Sequence, residues 1–196
     1  MNLLFTDEFR FRLIRDSRRT VIWREHGIRF YPTIIVGKRP FRGDRVLVWA
    51  GIMFDGHTDL HIFDGGTVNI WRYKDEIPEL YVRLFRGAVG PHLIFMDDNA
   101  CPIRTHLLDD YLEREDIQHM DWPAMSSNMN PIEHAWDALG RRVATHQHPP
   151  RTLPDLQNAL CEEWEQLLAE FFNHFVESMP SCCEACAAMR GDYISY

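Results

Sequence analysis

With 196 residues, 45% of them hydrophobic, the chain suits one domain of ordinary size with a full core. Its longest apolar run, Val46 to Phe54, falls far short of the roughly 20 residues that cross a bilayer, and no basic segment leads into an apolar stretch as in a secretory signal. A soluble, intracellular protein without a membrane partner is expected. The formal charge of −8 excludes a uniformly basic surface, yet it is unevenly spread: Met1 to Arg45 holds eleven Lys plus Arg against five Asp plus Glu. That basic third either tracks a polyanionic backbone or decorates exposed strand faces.

Residues 3–15 predict one strand running into another: Leu3 to Asp7, then Phe9, Phe11 and Leu13 alternating with Glu8, Arg10 and Arg12. Asp16-Ser17 supplies a turn. Thr20 to Trp23 and Ile28 to Tyr31 are candidate strands, and Gly37 to Asp44 is a polar loop. Val46 to Phe54 is a long apolar strand, after which Asp55-Gly56 signals a hairpin to Leu60-His61-Ile62-Phe63. Thr67 can cap a helix carrying Val68, Trp71 and Ile77, which Pro78 should end or kink before Leu80 to Phe85 resumes it.

Leu93 to Met96 is apolar on both alternating faces, as in a buried parallel strand, and runs into Asp97-Asp98-Asn99. A helix near Ile103 to Arg114 and a short strand around Ile117 to Met120 follow. Asn130-Pro131 then opens a helix with Ile132, Ala135, Trp136, Leu139 and Val143 on one face. Further helices fit Leu153 to Ala169 and Phe171 to Met179, with a last one after Pro180. Early hairpin strands followed by strand, helix, strand and a helical tail predict an α/β domain with a mixed sheet.

Two carboxylates stand out. Asp98 emerges at a strand's carboxyl end, the rim where open α/β sheets bind ligands. Glu133 follows after a gap of thirty-four residues, in the first turn of its helix. Each also has a purely structural account. Asn130 as cap, Pro131 at the first helical position and Glu133 three residues after the cap form a capping-box pattern, and Asp98 could be a turn residue.

The surrounding wording resembles the catalytic domain of mariner-type DDE transposases, in the Tc/mariner superfamily. Phe5-Thr6-Asp7-Glu8 is similar to the family's first motif and Asp98-Asn99-Ala100 with Pro102 to its second. Trp122-Pro123-Ala124 through Asn130-Pro131-Ile132-Glu133-His134, with Trp136-Asp137, is similar to its third. The thirty-four-residue gap is that of one large branch. The resemblance covers nearly the whole chain and implies an RNase H-like fold: a mixed five-stranded sheet flanked by helices, with a helical C-terminal tail, in one domain over residues 1–196.

It also implies metal-dependent cleavage and strand transfer of DNA in the nucleus. The triad maps onto Asp7, Asp98 and Glu133, holding two Mg²⁺ or Mn²⁺ ions, with Asp7 bridging them. Paired ions about 3.5 to 4 Å apart can activate an attacking oxygen and stabilise a leaving one at phosphorus. Candidate DNA contacts are Arg10, Arg12, Arg39, Arg42, Arg45, Asn99 and His134, although an exposed or packed ring is the commoner state of a histidine placed like His134. A second copy of the chain is a further partner to consider.

Glu8 and Asp97 flank presumed ligands, but alternation turns them to the other strand face, where solvent contact or capping is expected. Arg141 and Arg142 suit the end of their helix as readily as they suit DNA. Cys182, Cys183 and Cys186 lack a second pair at zinc-finger spacing and read as reduced structural thiols.

Departures from the family pattern concentrate near the site. Ser126-Ser127-Asn128-Met129-Asn130 stands for the usual Ser-Pro-Asp-Leu-Asn, Cys101-Pro102-Ile103 for Arg-Pro-His, and Gly191-Asp192-Tyr193 for Gly-Gly-His. The family's paired helix-turn-helix modules have no counterpart ahead of the first strand, so terminal-repeat specificity is not expected of this chain alone. The altered loops and acidic balance leave room for an alternative: a host-adopted or degenerate, non-catalytic binding protein that keeps the fold.

Overall fold

The computed structural model describes residues 2–13, 45–63, 76–77, 81–97, 102–123, 126 and 129–188, with residues 102–107 described by their backbone alone. The elements expected at Thr20 to Trp23 and Ile28 to Tyr31 lie outside these, as does most of the helix expected after Thr67; of its continuation over Leu80 to Phe85, residues 81–85 are described and lead into a helix from Arg83.

Alternating residues from Leu3 onward form a single strand, β1 (Leu3–Arg12), rather than two in succession. It pairs antiparallel with β2 (Arg45–Met53) over eight residue pairs, from Phe5↔Ile52 to Arg12↔Arg45. Its other edge runs parallel to β5 (Ile94–Met96), with Leu3↔Ile94 through Phe5↔Met96, and β5 in turn runs parallel to β6 (Gln118–His119). The short β3 (Gly56–His57) and β4 (His61–Phe63) both pair antiparallel with β2, giving the order β3-β2-β1-β5-β6 with β4 beside β2.

Six strands thus stand where five are expected among the described residues, because the strand returning from the hairpin is split. His57 lies opposite Ile52 and His61 opposite Trp49. Between them Thr58 exchanges bonds with Gly51: its N–H donates to the Gly51 carbonyl at 2.8 Å, and its Oγ1 accepts from the Gly51 N–H at 2.9 Å. A side-chain oxygen replaces the backbone acceptor there, and Asp59 and Leu60 are left opposite Ala50 alone, the extra residue of a β-bulge. The turn itself is Phe54-Asp55, with Asp55 in the left-handed region at φ 63°, which Asp tolerates better than most residues.

Period-two burial divides the core into two layers. Leu3, Phe5, Phe11 and Leu13 of β1 and its extension, with Val48, Ala50 and Ile52 of β2, pack against three helices. These are α3 (Ile132–Ala144), α4 (Leu153–Glu165) and α5 (Ala169–Ala188). Leu4, Trp49, Leu93 and Phe95 face the opposite layer, where Val82 precedes α1 (Arg83–Val89) and Leu108, Tyr111 and Leu112 project from α2 (Pro102–Arg114). Gly51 is required by this packing: a Cβ there would lie 2.9 Å from Leu4 Cδ1 and 3.2 Å from Thr6 Cγ2.

The last helix departs from expectation. Instead of ending at Met179 and restarting after Pro180, α5 runs through the proline for twenty residues. Phe172, Val176 and Met179 anchor it at helical spacing on its buried side, whereas Pro180 is exposed, so the N–H it lacks is missing on a solvated face. The helix also holds the hairpin turn: Asp55 N–H donates to Asn173 Oδ1 at 2.7 Å and Asn173 Nδ2 donates to Asp55 Oδ1 at 2.8 Å. No helix among the described residues is long and apolar enough to cross a membrane.

Candidate active site

Asp7 sits in the middle of β1 on the face that carries Phe5, Phe9 and Phe11, toward α3. A half-buried carboxylate on an aromatic face needs a polar partner. Trp136 supplies one, its Nε1–H donating to Asp7 Oδ2 at 2.9 Å. Trp136 is itself 1% exposed and stacks on Phe9 and on Trp164. The indole uses one of a carboxylate's roughly four acceptor positions.

The start of α3 is tied to the same strand. Asn130 is 2% exposed; its Nδ2 donates to the Thr6 carbonyl at 3.0 Å, and its Oδ1 accepts from the Ile132 N–H at 3.3 Å. The helix starts at Ile132 with Pro131, not Asn130, at its N-cap, so the expected capping box gives way to an Asn130 bond to the Ile132 N–H, and the side chain's second function is tertiary. Glu133 is half-buried in the first turn of α3, three residues before Trp136. Residues at that spacing are neighbours on one helix face. The helix carries Glu133 close to the strand segment that bears Asp7, because residues on both sides of it bond to Thr6 and Asp7.

Thr6 also links the two parallel strands, its Oγ1 donating to the Met96 carbonyl at 2.8 Å. Asp98 and Asn99 lie outside the described residues, as do Arg39 and Arg42. Asp97 is described and corrects the sequence expectation. It does lie on the face opposite Met96, but it is 7% exposed, not in solvent. His119 Nε2 approaches Asp97 Oδ1 at 3.4 Å, a charge contact without good hydrogen-bond alignment, and His119 Nδ1 bonds Asp109 Oδ1 at 2.7 Å. Asp97 chiefly, with Asp109 assisting and burial opposing, raises the His119 pKa above 6.5. His119, on the strand that follows, thus compensates a buried carboxylate that the sequence placed at the surface.

Among the other candidates, Arg10, Arg12 and Arg45 are exposed, and Arg12 stands directly opposite Arg45. Arg10 and Arg12 lie three and five residues past Asp7, roughly 10 and 17 Å along the strand. The His134 ring stacks on Phe175 at 5.0 Å and 19°, the packed arrangement. Arg141 pairs with Asp137, and Arg142 with Glu163 at 3.3 Å, so both end-of-helix arginines have acidic partners. Cys182 and Cys186 are partly buried, Cys183 is exposed, and all three are free thiols. Among the described residues no three His, Cys, Asp or Glu side chains cluster as a metal site, and Asp98 falls outside that set.

Trp136, Asn130 and His119 are the residues whose tertiary roles sequence reasoning did not reach. A buried Trp N–H normally finds an acceptor, and Asp7 was an acidic group expected at the same site; that combination was the available signal.

No protein-family profile matches the chain. Individual proteins do. The chain is 24% identical over 192 residues to the transposable element Tcb2 transposase of Caenorhabditis briggsae, covering 97% of the chain and 68% of that protein. It is 25% identical over 194 residues to the Tc3 transposase of Caenorhabditis elegans, covering 99% of the chain but 58% of the relative. In fold it is similar to the Mos1 mariner paired-end complex with Mn, at a TM-score of 0.74 and 21% identity over 99% of the chain and 57% of that one. The isolated Mos1 catalytic domain superposes at a TM-score of 0.72, with 17% identity over 99% of the chain and 84% of the domain. In sequence the chain is thus similar to transposases of the Tc1/mariner type, and it has the RNase H-like fold of the Mos1 catalytic domain.

Proposed function

We propose that the chain is a DDE-type catalytic domain that cleaves DNA phosphodiester bonds with divalent metal, held by Asp7, Asp98 and Glu133. The observation that carries this reading is the pair of bonds joining α3 to the middle of β1, Asn130 to Thr6 and Trp136 to Asp7. They bring the helix bearing Glu133 against the strand bearing Asp7. The parallel register supports the third member: Met96 is beside Phe5, and Asp98 follows Met96 by the same two residues that separate Asp7 from Phe5.

An all-carboxylate donor set suits Mg²⁺ or Mn²⁺, which take oxygen ligands and commonly bind through one or two carboxylates plus substrate phosphate. Two such ions, when bound, would polarise the scissile phosphate and activate the attacking oxygen. Asp7 has its Oδ2 held by Trp136. Glu133 lies in the first turn of α3.

Arg10, Arg12 and Arg45, with Arg39, Arg42 and Asn99 from outside the described residues, are the proposed contacts to the DNA backbone. Phosphate contacts position a duplex without reading its sequence. Relatives that span more than this chain are transposases of mobile elements, so strand transfer, nuclear location and pairing with a second copy belong to the same proposal.

The test is cleavage of end-labelled inverted-repeat DNA against scrambled DNA, with Mg²⁺ or Mn²⁺, by wild type and by Asp98→Asn. Slow, Mn²⁺-dependent nicking of both DNAs, abolished by the substitution, is expected. Nicking that survives Asp98→Asn and Glu133→Gln would remove these carboxylates from the chemistry, and no cleavage with any metal would favour a non-catalytic protein that keeps the fold.

A further inference from the structure

We infer that Trp136 is a positioning residue for the metal site: its indole N–H holds the Asp7 carboxylate in the orientation that ligates a cation, and so sets the metal affinity. This rests on the reading of Asp7 as a metal ligand.

The indole is fixed before it meets the carboxylate. Its plane stacks on Phe9 (ring centroids 5.9 Å apart, 25° between planes) and on Trp164 (5.4 Å, 29°), and it meets Phe11 edge-on (6.2 Å, 78°). Trp164 is pinned in turn, its own Nε1–H donating to the Thr58 carbonyl in the bulge at 2.8 Å, with Phe172 5.4 Å away. Three elements, β1, α4 and the β3–β4 bulge, therefore determine where the Trp136 N–H points. Rotating the ring would dislodge at least two of these partners.

An indole only donates, so the oxygen it meets must accept. With Oδ2 committed to a rigid donor, the side-chain torsions of Asp7 are restricted and its remaining acceptor positions are held in place before any cation arrives. Partners of metal ligands commonly act in this way, and their loss typically lowers metal affinity by about 10- to 100-fold. A simpler account is that a buried Trp N–H needs an acceptor and Asp7 happens to provide it. The two accounts differ in one measurable respect. A merely structural bond would change stability and leave the metal response unmoved.

The experiment replaces Trp136 in the full chain with β-(3-benzothienyl)alanine, which keeps the ring size and stacking but has sulfur in place of the N–H. Trp136→Phe is a second variant. Melting is followed in EDTA, and Mn²⁺ binding to the folded protein is titrated by water-proton relaxation, the half-point being the concentration that half-saturates the site; Tm itself keeps rising with ligand and has no plateau. Both variants are expected to need about tenfold more Mn²⁺ or greater, with Tm in EDTA close to wild type for the benzothienyl protein. A benzothienyl protein with the wild-type half-point would overturn the inference, and it decides the matter if Trp136→Phe fails to fold. Asp7→Asn separates the two levels of argument. If wild type does not respond to Mn²⁺, or Asp7→Asn still responds, the metal-site reading itself is wrong and this inference goes with it. If Asp7→Asn loses the response while the benzothienyl protein matches wild type, the positioning role alone is refuted.

Discussion

Replacing Asn130 tests how the helix bearing Glu133 is attached to the sheet. The side chain makes two bonds of different kinds, donating to the Thr6 carbonyl at 3.0 Å and accepting from the Ile132 N–H at 3.3 Å. Asn130→Ala removes both. Loss of a helix cap costs about 1 kcal/mol, and leaving a buried carbonyl without its donor adds roughly 1 to 2 kcal/mol. The sum, about 2 to 3 kcal/mol, corresponds to a fall in Tm of roughly 5 to 10 °C for a domain of this size. Asn130→Asp discriminates between the two bonds. It retains the capping oxygen and a favourable charge at the helix start, but turns an acceptor toward the Thr6 carbonyl. Near neutral pH it should therefore destabilise at least as much as Ala. The deficit should shrink in acid, where the new carboxyl is protonated and can donate again. Urea unfolding from pH 4 to 8 measures both variants. An Asn130→Asp protein as stable as wild type at pH 7 would refute the claim that the Thr6 bond, and not the cap alone, fastens α3 to β1.

Gly51→Ala places a methyl group 2.9 Å from Leu4 Cδ1 and 3.2 Å from Thr6 Cγ2. Over-packing of about 1 to 3 kcal/mol should appear as a lower denaturation midpoint, and an unchanged midpoint would show that the central strands accommodate it. His119→Asn should destabilise in a pH-dependent way. Because the contact with Asp97 raises the folded-state pKa above 6.5, the wild-type advantage is fully present below that value and fades as pH rises through the folded pKa. A difference constant from pH 5.5 to 8.5 would contradict the charge contact. Pro180→Ala restores an N–H inside α5 at an exposed position and should raise Tm, since proline in a helix interior is worse than alanine by up to about 3 kcal/mol. A fall in Tm would mean that the proline is stabilising where it stands.

Much of this architecture was legible because period-two and helical patterns follow directly from burial. The apolar run ending at Met96 reads as a buried parallel strand and is one. All five residues assigned to the inner face of the Glu133 helix, Ile132, Ala135, Trp136, Leu139 and Val143, are buried. What stayed hidden depends on partners distant in sequence. The break between β3 and β4 arises from a Thr58 hydroxyl standing in for a carbonyl, which no local pattern announces. Pro180 is a reliable local stop signal overridden by packing on the opposite helix side. Asp97 reads as solvent-facing because its compensation comes from His119, twenty-two residues later. Asn130 reads as the cap, a place that Pro131 takes; its side chain still reaches the Ile132 N–H, but its Thr6 bond spans 124 positions. The site suffers the same limit: individual carboxylates can be nominated from motifs, whereas the groups that orient them are set by tertiary packing.

The placement of β1 at the centre of the sheet has a kinetic consequence. Its partners are recruited from far along the chain: β2 after a long excursion, β5 some ninety positions on, and α3 beyond that, with the Asn130–Thr6 and then the Trp136–Asp7 bond closing late in sequence. Loop closure must precede the contacts that reward it, so such a topology folds slowly and exposes its middle while it waits. Until α3 arrives, Phe9 and Phe11 lack the Trp136 ring that covers them. The half-assembled sheet would present an aromatic stripe to chaperones, and refolding should show Trp136 burial lagging behind strand pairing.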